Sequence, residues 1–303
     1  MSLGTAAPAS ETSLAQFTKT AESLASDVIG AYSTSFGMAT RLLGKRHRTH
    51  VRNIYALVRV ADEIVDGVAR EAGLSLSEQI EVLERYVAET HRALRIGYSS
   101  DLIVHAFAAT ARESGIDESL TQPFFDSMKT DLLVAHDSLA VFDSRAHADY
   151  VYGSAEVVGL MCLRVFLRQE RLDPSAIAEL EHGARQLGAA FQNINFLRDL
   201  ADDTDRLGRS YLGCANTLTS TDRDRWVADI RSQLSDAERV IPMLPRDTRT
   251  AVRTALLLFA KLTDRVAAVP VAELYSSRIR VANPVKLTLA SSAVLTTMKE
   301  GRS

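Results

Sequence analysis

Helical periodicity runs through almost the whole of this 303-residue chain, and it is the feature that most constrains the fold. Apolar side chains recur three or four positions apart, as at Ile80, Leu83 and Val87, which places them on one face of a helix. Gly (15) and Pro (7) are sparse, and no segment alternates apolar and polar residues for long enough to build a sheet. The apolar fraction of 46% is enough for a sizeable core. The sequence therefore predicts one all-α domain.

Breaks in this periodicity predict where the helices begin and end. We expect a disordered tail over residues 1–13, because it lacks an apolar run, and a single folded domain over residues 14–303. The polar segment 32–37, the basic segment 45–50 and the segment 207–212 are interpreted as breaks. No apolar run reaches the length of a membrane span. The segment 285–295 is interpreted as a buried core helix, with a helix resting on a membrane surface as the alternative. Ser75 or Ser77 can cap the fourth predicted helix, which runs to about residue 96, and Asp173-Pro174 opens the helix that leads to the central stretch. The other predicted helices cover residues 14–31, 38–43, 51–68, 101–114, 119–138, 150–168, 222–236, 246–268 and 284–299.

The central stretch of the chain is N-F-L-R-D-L-A-D-D. Asp199 and Asp203 are four residues apart, so a helix would place both carboxylates on one face. Asn195 lies one turn earlier on that face, Gln192 lies before it, and Arg198 stands at the edge of the stripe. The spacing predicts a row of oxygen groups beside a guanidinium.

A second stretch, R-V-A-D-E-I-V-D, repeats this arrangement. Asp62 and Asp66 are four residues apart, and Arg59 lies three residues before the first of them. One aspartate pair on a helix is usually solvated surface charge, but two pairs in apolar segments, each with its own Arg, favour a shared site. Hard divalent cations take oxygen ligands and retain substrate phosphates, and Arg binds phosphate through two hydrogen bonds. We therefore predict a metal–phosphate site that holds Mg²⁺, with Mn²⁺ as the alternative.

Charge and cysteine content exclude several other classes of protein. A net charge of −3 leaves no basic footprint for nucleic acid. Cys162 and Cys214 suggest neither a disulfide framework nor a zinc site, and they fit a reducing cytoplasm. The motifs G-x-G-x-x-G and G-x-x-x-x-G-K-[ST] are absent from the sequence, which gives no support to a Rossmann or P-loop site. We expect a cytoplasmic protein, and peripheral contact with a membrane for product release is compatible with it.

Four blocks carry a resemblance to a known family. They are S-F at 35–36, R-N-I-Y-A-L-V-R-V-A-D-E-I-V-D at 52–66, Y-V-Y-G-S-A-E-V-V-G-L-M at 150–161, and Q-N-I-N-F-L-R-D-L-A-D-D-T-D-R-L-G-R-S-Y-L at 192–212. Together they resemble the squalene/phytoene synthase family of head-to-head isoprenoid synthases. The resemblance implies an all-α isoprenoid-synthase fold with a central cavity, in which both aspartate motifs bind Mg²⁺ and hold the substrate diphosphates.

The resemblance also implies roles for individual residues. It assigns the metal to Asp62, Asp66, Asn195, Asp199 and Asp203. It assigns substrate binding to Ser35, Tyr55, Arg59, Gln192, Arg198 and, through a looser match, Arg278. It places Tyr150 as a cavity tyrosine, which we count with the four aspartates as catalytic.

The activity implied by the resemblance is condensation of two prenyl diphosphates, with geranylgeranyl diphosphate giving phytoene through a cyclopropyl diphosphate. Three alternatives stay open: a terpene cyclase that acts on one prenyl diphosphate, a squalene or dehydrosqualene synthase that acts on farnesyl diphosphate, and a prenyl-lipid-binding subunit without activity. Use of NADPH is also left open, because reductive members of the family lack a Rossmann motif. Glu156 and Phe259 depart from the residues common in the family and leave the fate of the cation undecided.

Overall fold

The computed structural model of this chain describes residues 12–65, 67–134, 144–200 and 218–300. Every regular element in these ranges is helical, as the all-α prediction requires. The helices are α1 (Ser13–Tyr32), α2 (Thr34–Arg41), α3 (Lys45–Val65), α4 (Val68–Glu71), α5 (Leu76–Ile96), α6 (Leu102–Ser114), α7 (Glu118–Val134), α8 (Ser144–Val151), a π-helical turn (Tyr152–Glu156), α9 (Val157–Leu167), α10 (Pro174–Arg198), α11 (Ser220–Val240), a 3₁₀ turn (Ile241–Met243), α12 (Arg246–Ala268), α13 (Val271–Leu274) and α14 (Asn283–Glu300).

Side-chain caps explain several of the ends that the sequence predicts well. Ser75 accepts a hydrogen bond from the Glu78 backbone, and Glu78 returns one to Ser75, so a capping box starts α5. Asp173 caps α10 with Pro174 at the first helical position. Thr12 caps α1, which begins at Ser13; residues 1–11 of the predicted tail lie outside the described residues.

Several predicted ends are wrong. The helix predicted over 150–168 begins at Ser144, and polar contacts explain two of the other differences. The basic segment 45–50 was interpreted as a turn, but it forms the first turns of α3, where Asp247 accepts hydrogen bonds from Arg46 (Nε–Oδ2 2.8 Å). The polar break at 32–37 is reduced to Ser33, whose hydroxyl caps α2 by accepting from the Phe36 N–H at 3.0 Å. The central helix α10 ends at Arg198, so Asp199 is its C-cap rather than a residue of its face. The predicted break at 207–212 lies outside the described residues.

Helices α8 and α9 form one continuous helix through the π-helical turn. Residues Arg145–Leu167 are long and apolar enough to cross a membrane by length and composition, so the expectation that no segment reaches this length is wrong. Val157, Met161 and Val165, however, are fully buried against neighbouring helices, and the other large apolar side chains of the segment are buried or half-buried. A Cβ on Gly159 would lie 2.6 Å from a backbone oxygen of α10, which shows how closely these helices pack. This segment is therefore a core helix of the bundle.

Two large apolar clusters form most of the core, and α10 contributes to both, while a smaller third cluster joins α1, α3 and α6. The first lies among α3, α5, α6, α7 and α9, with Leu57 and Phe107 fully buried at its centre. The second lies among α10, α11 and α12 and includes Ile230. Leu180, near the start of α10, belongs to the first cluster, whereas Ile194, near its end, belongs to the second. The last turn of α10 is therefore anchored in the core on its apolar side.

The C-terminal helix α14 differs from the prediction for 285–295. Ala293 is the buried residue of α14, and most of its other side chains are half-buried or exposed. It lies on α12, so it is an outer helix of the bundle rather than a core helix.

Candidate active site

The last two turns of α3 present the first acidic and basic groups of the predicted site. Arg59 pairs with Glu63 one turn later, and its Nη1 lies 3.9 Å from a carboxylate oxygen of Asp62. The guanidinium also stands 4.6 Å from the centre of the Tyr32 ring. Arg59 and Asp62 are half-buried, so both retain access to a ligand. Asp66, the second aspartate of this motif, lies outside the described residues.

The end of α10 presents the second set. The Asp199 carboxylate accepts hydrogen bonds from Arg198 (Nε–Oδ1 2.8 Å) and lies 2.8 Å from Nε of Arg278. Arg278 was assigned to substrate binding only through a loose match to the family. The structure places it at the second aspartate motif. Asn195 lies one turn earlier, and its Oδ1 is buried without a hydrogen-bond partner in the described part of the chain. Asp203 lies outside that part.

An aromatic cluster joins the two sets. Phe36 of α2 contacts Tyr55 of α3 (6.3 Å between ring centres), Phe191 of α10 (5.9 Å) and Phe259 of α12 (5.9 Å). Phe191 and Phe259 stack at 3.7 Å. Tyr55 lies one turn before Arg59 on α3, and Phe191 lies one turn before Asn195 on α10. Since the cluster lies one turn from each polar set, both sets border this shared aromatic wall.

Tyr55 belongs to this wall and also has a polar contact. Burial raises the pKa of its phenol, and the Ser33 side chain lies near its hydroxyl. Ser35, two residues later on α2, is half-buried beside the cluster, and Gln192 is half-buried on α10 next to Phe191. Ser35, Tyr55 and Gln192, which are predicted to bind substrate, therefore lie on helices that build the wall.

Tyr150 lies deeper and has a partner that the sequence analysis did not single out. Its hydroxyl donates to Oδ2 of Asp131 on α7 at 2.9 Å, and both residues are buried. The Tyr150 ring packs against Phe196 of α10, with 5.9 Å between centres. Asp131 is an acidic residue on the buried face of α7, close to Met128 and Leu132, and a carboxylate on that apolar face is the signal that could have marked it. The bond fixes the direction of the Tyr150 hydroxyl.

Two further contacts were also missed. Lys286 of α14 lies 3.0 Å from the hydroxyl of Thr34 at the start of α2, and burial lowers the pKa of its ammonium. Glu156, which departs from the family pattern, pairs with Arg185 of α10 at 2.6 Å. The Glu156 carboxylate is thus engaged by a partner on the neighbouring helix.

The donor set suits a hard divalent cation. Asp62 and Asp199 supply carboxylate oxygens, and the Asn195 Oδ1 is a buried acceptor without a donor among the described residues. An orphaned buried oxygen is costly unless a ligand satisfies it, and Mg²⁺ or Mn²⁺ would do so. Among the described residues, no group of three or more acidic, His or Cys side chains is placed to hold a metal ion. Asp66 and Asp203 lie outside them. The residues present fit the predicted metal in type.

Surface clefts are found elsewhere on the bundle. One is lined by Leu163, Arg164 and Arg168, the other by Arg231, Leu256 and Asp264, and neither shares a residue with the predicted site. The central cavity implied by the resemblance stays a prediction.

Comparison with known protein families identifies the family to which this chain belongs. The profile of the squalene/phytoene synthase family matches residues 29–216, which include Ser35, both aspartate motifs and Tyr150. The chain belongs to the squalene/phytoene synthase family. The predicted resemblance is thereby confirmed.

Two relatives in this family with known names show which enzymes the chain is similar to. The chain is 29% identical over 287 residues to 15-cis-phytoene synthase from Synechocystis sp., covering 86% of this chain and 80% of that protein. It is 28% identical over 188 residues to 4,4'-diapophytoene synthase from Staphylococcus haemolyticus, covering 61% of this chain and 59% of the relative. This squalene/phytoene synthase family member is a prenyltransferase, as predicted.

A solved structure confirms the fold. A dehydrosqualene synthase in complex with a ligand superposes with a TM-score of 0.74 and 18% identity, covering 94% of this chain and 99% of that one. At this level of identity the match establishes the all-α isoprenoid-synthase architecture. The roles of individual site residues stay predictions.

Proposed function

We propose that this prenyltransferase joins two molecules of geranylgeranyl diphosphate head to head and forms phytoene through a cyclopropyl diphosphate. The observation that carries the proposal is the arrangement of two acidic and basic sets that border a common aromatic wall. The similarity to the Synechocystis phytoene synthase over 86% of this chain supports it. Two sets of charged groups suit two diphosphates, and one apolar wall suits their two prenyl chains.

The basic residues bind and orient the diphosphates. Arg59 at the first set, and Arg198 and Arg278 at the second, offer N–H donors to phosphate oxygens through charge-assisted hydrogen bonds. In the structure these donors are engaged by Glu63 and Asp199. A bound diphosphate would compete with these carboxylates for the same N–H groups.

Divalent metal, held by Asp62, Asn195 and Asp199 together with Asp66 and Asp203, would neutralise charge on the departing diphosphate. The aromatic residues of the wall then contact the prenyl cation that remains after the diphosphate has left. Cleavage of the carbon–oxygen bond leaves an allylic cation, and the faces of Phe36, Phe191 and Phe259 exclude water and stabilise positive charge.

The second prenyl chain then completes the first half of the reaction. Its double bond attacks the cation, and loss of a proton to the released diphosphate closes the cyclopropane ring. A second ionisation with rearrangement and proton loss gives the linear product. Two diphosphates are released for each product molecule.

Farnesyl diphosphate is the second candidate substrate. The observation that favours it is the 28% identity to the Staphylococcus diapophytoene synthase. The reaction type would be the same with two C15 units.

Product analysis tests the proposal directly. The purified chain is incubated with Mg²⁺ and either the C15 or the C20 diphosphate, and the products are identified by mass spectrometry while released diphosphate is counted. We expect a C40 hydrocarbon with two diphosphates released per product. A C30 hydrocarbon would select the second candidate, and a cyclic C20 product with one diphosphate released would establish a cyclase. No turnover with any prenyl diphosphate would indicate a binding subunit.

A matched pair of arginine variants tests the site itself. Arg59 and Arg85 both pair with a glutamate one helical turn away, on α3 and α5 respectively, but Arg85 is exposed and remote from the aromatic wall. We expect Arg59→Gln to reduce kcat/KM by about 100-fold or more, as for loss of a charged transition-state contact of about 3 kcal/mol. Arg85→Gln should retain full activity. Equal activities of the two variants would contradict the assignment of Arg59.

Removal of metal tests the donor set. We expect EDTA to stop product formation and excess Mg²⁺ to restore it, because the ligands predicted are all oxygen atoms. Turnover that survived exhaustive chelation would require another means of ionising the substrate.

A further inference from the structure

The outer side of α14 exposes large apolar side chains. Leu287, Leu295 and Met298 are 63%, 61% and 58% exposed, respectively. Their spacing of eight and three residues keeps them within one side of the helix. The opposite side is also apolar, because Leu289 packs on the second core cluster and Ala293 is buried. A helix that is apolar on both sides is normally covered on both, so this outer side is suited to a partner.

Polar contacts hold α14 on the bundle at both ends, and among the described residues these contacts do not involve the side chains of its outer side. Arg253 of α12 is buried and donates to Thr297 at 3.2 Å and to Glu300 at 2.6 Å. At the other end, Lys286 contacts Thr34. The helix is therefore held on α12 and α2 without using Leu287, Leu295 or Met298.

The positive charge of the segment around α14 favours an anionic partner. Between Glu273 and Glu300 the sequence contains four basic residues and no acidic one, although the whole chain has a net charge of −3. The four are Arg278, Arg280, Lys286 and Lys299. Arg280 and Lys299 are exposed. Exposed apolar side chains flanked by cations are the pattern of a helix that lies in the interface of an anionic lipid bilayer.

The position of this surface also fits a lipid partner. Lys286 contacts Thr34, two residues from Phe36 of the aromatic wall, and Arg278 on the same segment reaches Asp199. The exposed side of α14 thus begins beside the end of the bundle where the prenyl chains are proposed to bind. Prenyl diphosphates and their hydrocarbon products partition into lipid, so a bilayer at this place would shorten their path.

We infer that Leu287, Leu295 and Met298, flanked by Arg280 and Lys299, form a docking surface for an anionic membrane. The surface places the substrate-binding end of the bundle against the bilayer. Only the purpose of this placement rests on the proposed function, because the lipid contact itself involves no residue of the site.

Vesicle binding tests the inference without reference to turnover. The full chain is sedimented with phosphatidylcholine vesicles, with and without about one third phosphatidylglycerol. We expect binding to the anionic vesicles that weakens with salt, and little binding to the neutral ones. Leu287→Gln/Leu295→Gln/Met298→Gln should reduce the partition coefficient at least about tenfold, because three apolar side chains no longer enter the lipid. Arg280→Gln/Lys299→Gln should abolish most of the preference for anionic vesicles.

Controls separate this surface from the rest of the molecule. Leu14 and Ile96 are 56% and 55% exposed on α1 and α5, so Leu14→Gln/Ile96→Gln removes comparable apolar surface elsewhere and should bind like the wild type. The triple α14 variant should keep wild-type activity on detergent-dispersed substrate, which distinguishes a lost membrane contact from a lost active site. Leu295→Gln alone, with a smaller loss of binding, serves if the triple variant does not fold.

Three results would overturn the inference. The wild type could bind neither kind of vesicle, or the triple variant could bind as well as the wild type. Light scattering could also show a wild-type dimer that the triple variant converts to a monomer, in which case a second copy of this chain covers the surface.

Discussion

Replacement of Asn195 by leucine should change stability and activity in opposite directions. The Asn195 Oδ1 is buried without a hydrogen-bond partner among the described residues, and a buried unsatisfied acceptor costs about 1–3 kcal/mol. Leucine has a similar shape and removes this acceptor. We therefore expect Asn195→Leu to raise the free energy of unfolding of the metal-free protein by about 1–3 kcal/mol, while product formation is lost with the metal ligand.

Asn193 provides the matched control. It lies two residues earlier on α10 and is buried, but both of its polar atoms have partners: His147 at 3.1 Å from its Oδ1 and Gln233 at 3.2 Å from its Nδ2. Asn193→Leu removes both bonds and should lower the free energy of unfolding by about 1–3 kcal/mol. The same substitution, two residues apart, should thus have opposite signs.

Thermal unfolding in EDTA measures both variants, and domains of 150–250 residues shift by about 2–4 °C for each kcal/mol. A second series adds Mg²⁺ with inorganic diphosphate, which should raise the Tm of the wild type because ligand binds the folded state. The Asn195→Leu variant should lose that increase. If Asn195→Leu were instead destabilised as much as Asn193→Leu in EDTA, its oxygen would be satisfied within the protein and the metal assignment would fail.

Three further predictions address the acidic site, the packing and the buried histidines. Asp62→Ala should abolish product formation while the circular dichroism spectrum is retained, because a half-buried carboxylate contributes little to folding; near wild-type turnover at saturating Mg²⁺ would refute its role. Gly159→Ala should lower the free energy of unfolding by about 1–3 kcal/mol, because its Cβ would lie 2.6 Å from a backbone oxygen of α10, whereas Gly30→Ala in α1, with open space around the new Cβ, should be neutral or stabilising. Burial lowers the pKa of His91 below its ordinary value of 6.5, so the unfolded state binds protons first and the Tm should fall as the pH drops through that value; His91→Gln should reduce this pH dependence, whereas replacement of the exposed His182 should not.

Much of the fold could be predicted because local signals agree with the packing. The Ser75 capping box and the Asp173–Pro174 start each determine a helix end through neighbouring residues, and the structure confirms both. The start of α3 could not be found in this way. Its basic first turn is stabilised by Asp247, about two hundred residues away in sequence, and no local pattern reveals such a partner.

In the candidate site, too, contacts within one helix could be predicted from the sequence, whereas contacts between helices could not. The sequence predicts that Asp62 and Arg59 lie close together because they are three residues apart on one helix. The structure places Nη1 of Arg59 3.9 Å from Oδ2 of Asp62. The contact of Arg278 with Asp199 and the bond of Tyr150 to Asp131 join separate helices, so they depend on the assembled bundle. The ending of α10 at Arg198 was also unpredicted, because the aspartate spacing suits a longer helix.

The aromatic wall has a consequence for how products could diversify in evolution. Its members come from four helices, and Phe36 contacts Tyr55, Phe191 and Phe259 simultaneously. A substitution at any one ring changes the packing of the others, so effects at these positions should be strongly non-additive. A mutation that admits a different prenyl chain in one background should therefore be neutral or harmful in another. Epistasis among these four rings would make the order of mutations, as much as their identity, decide which new products are accessible.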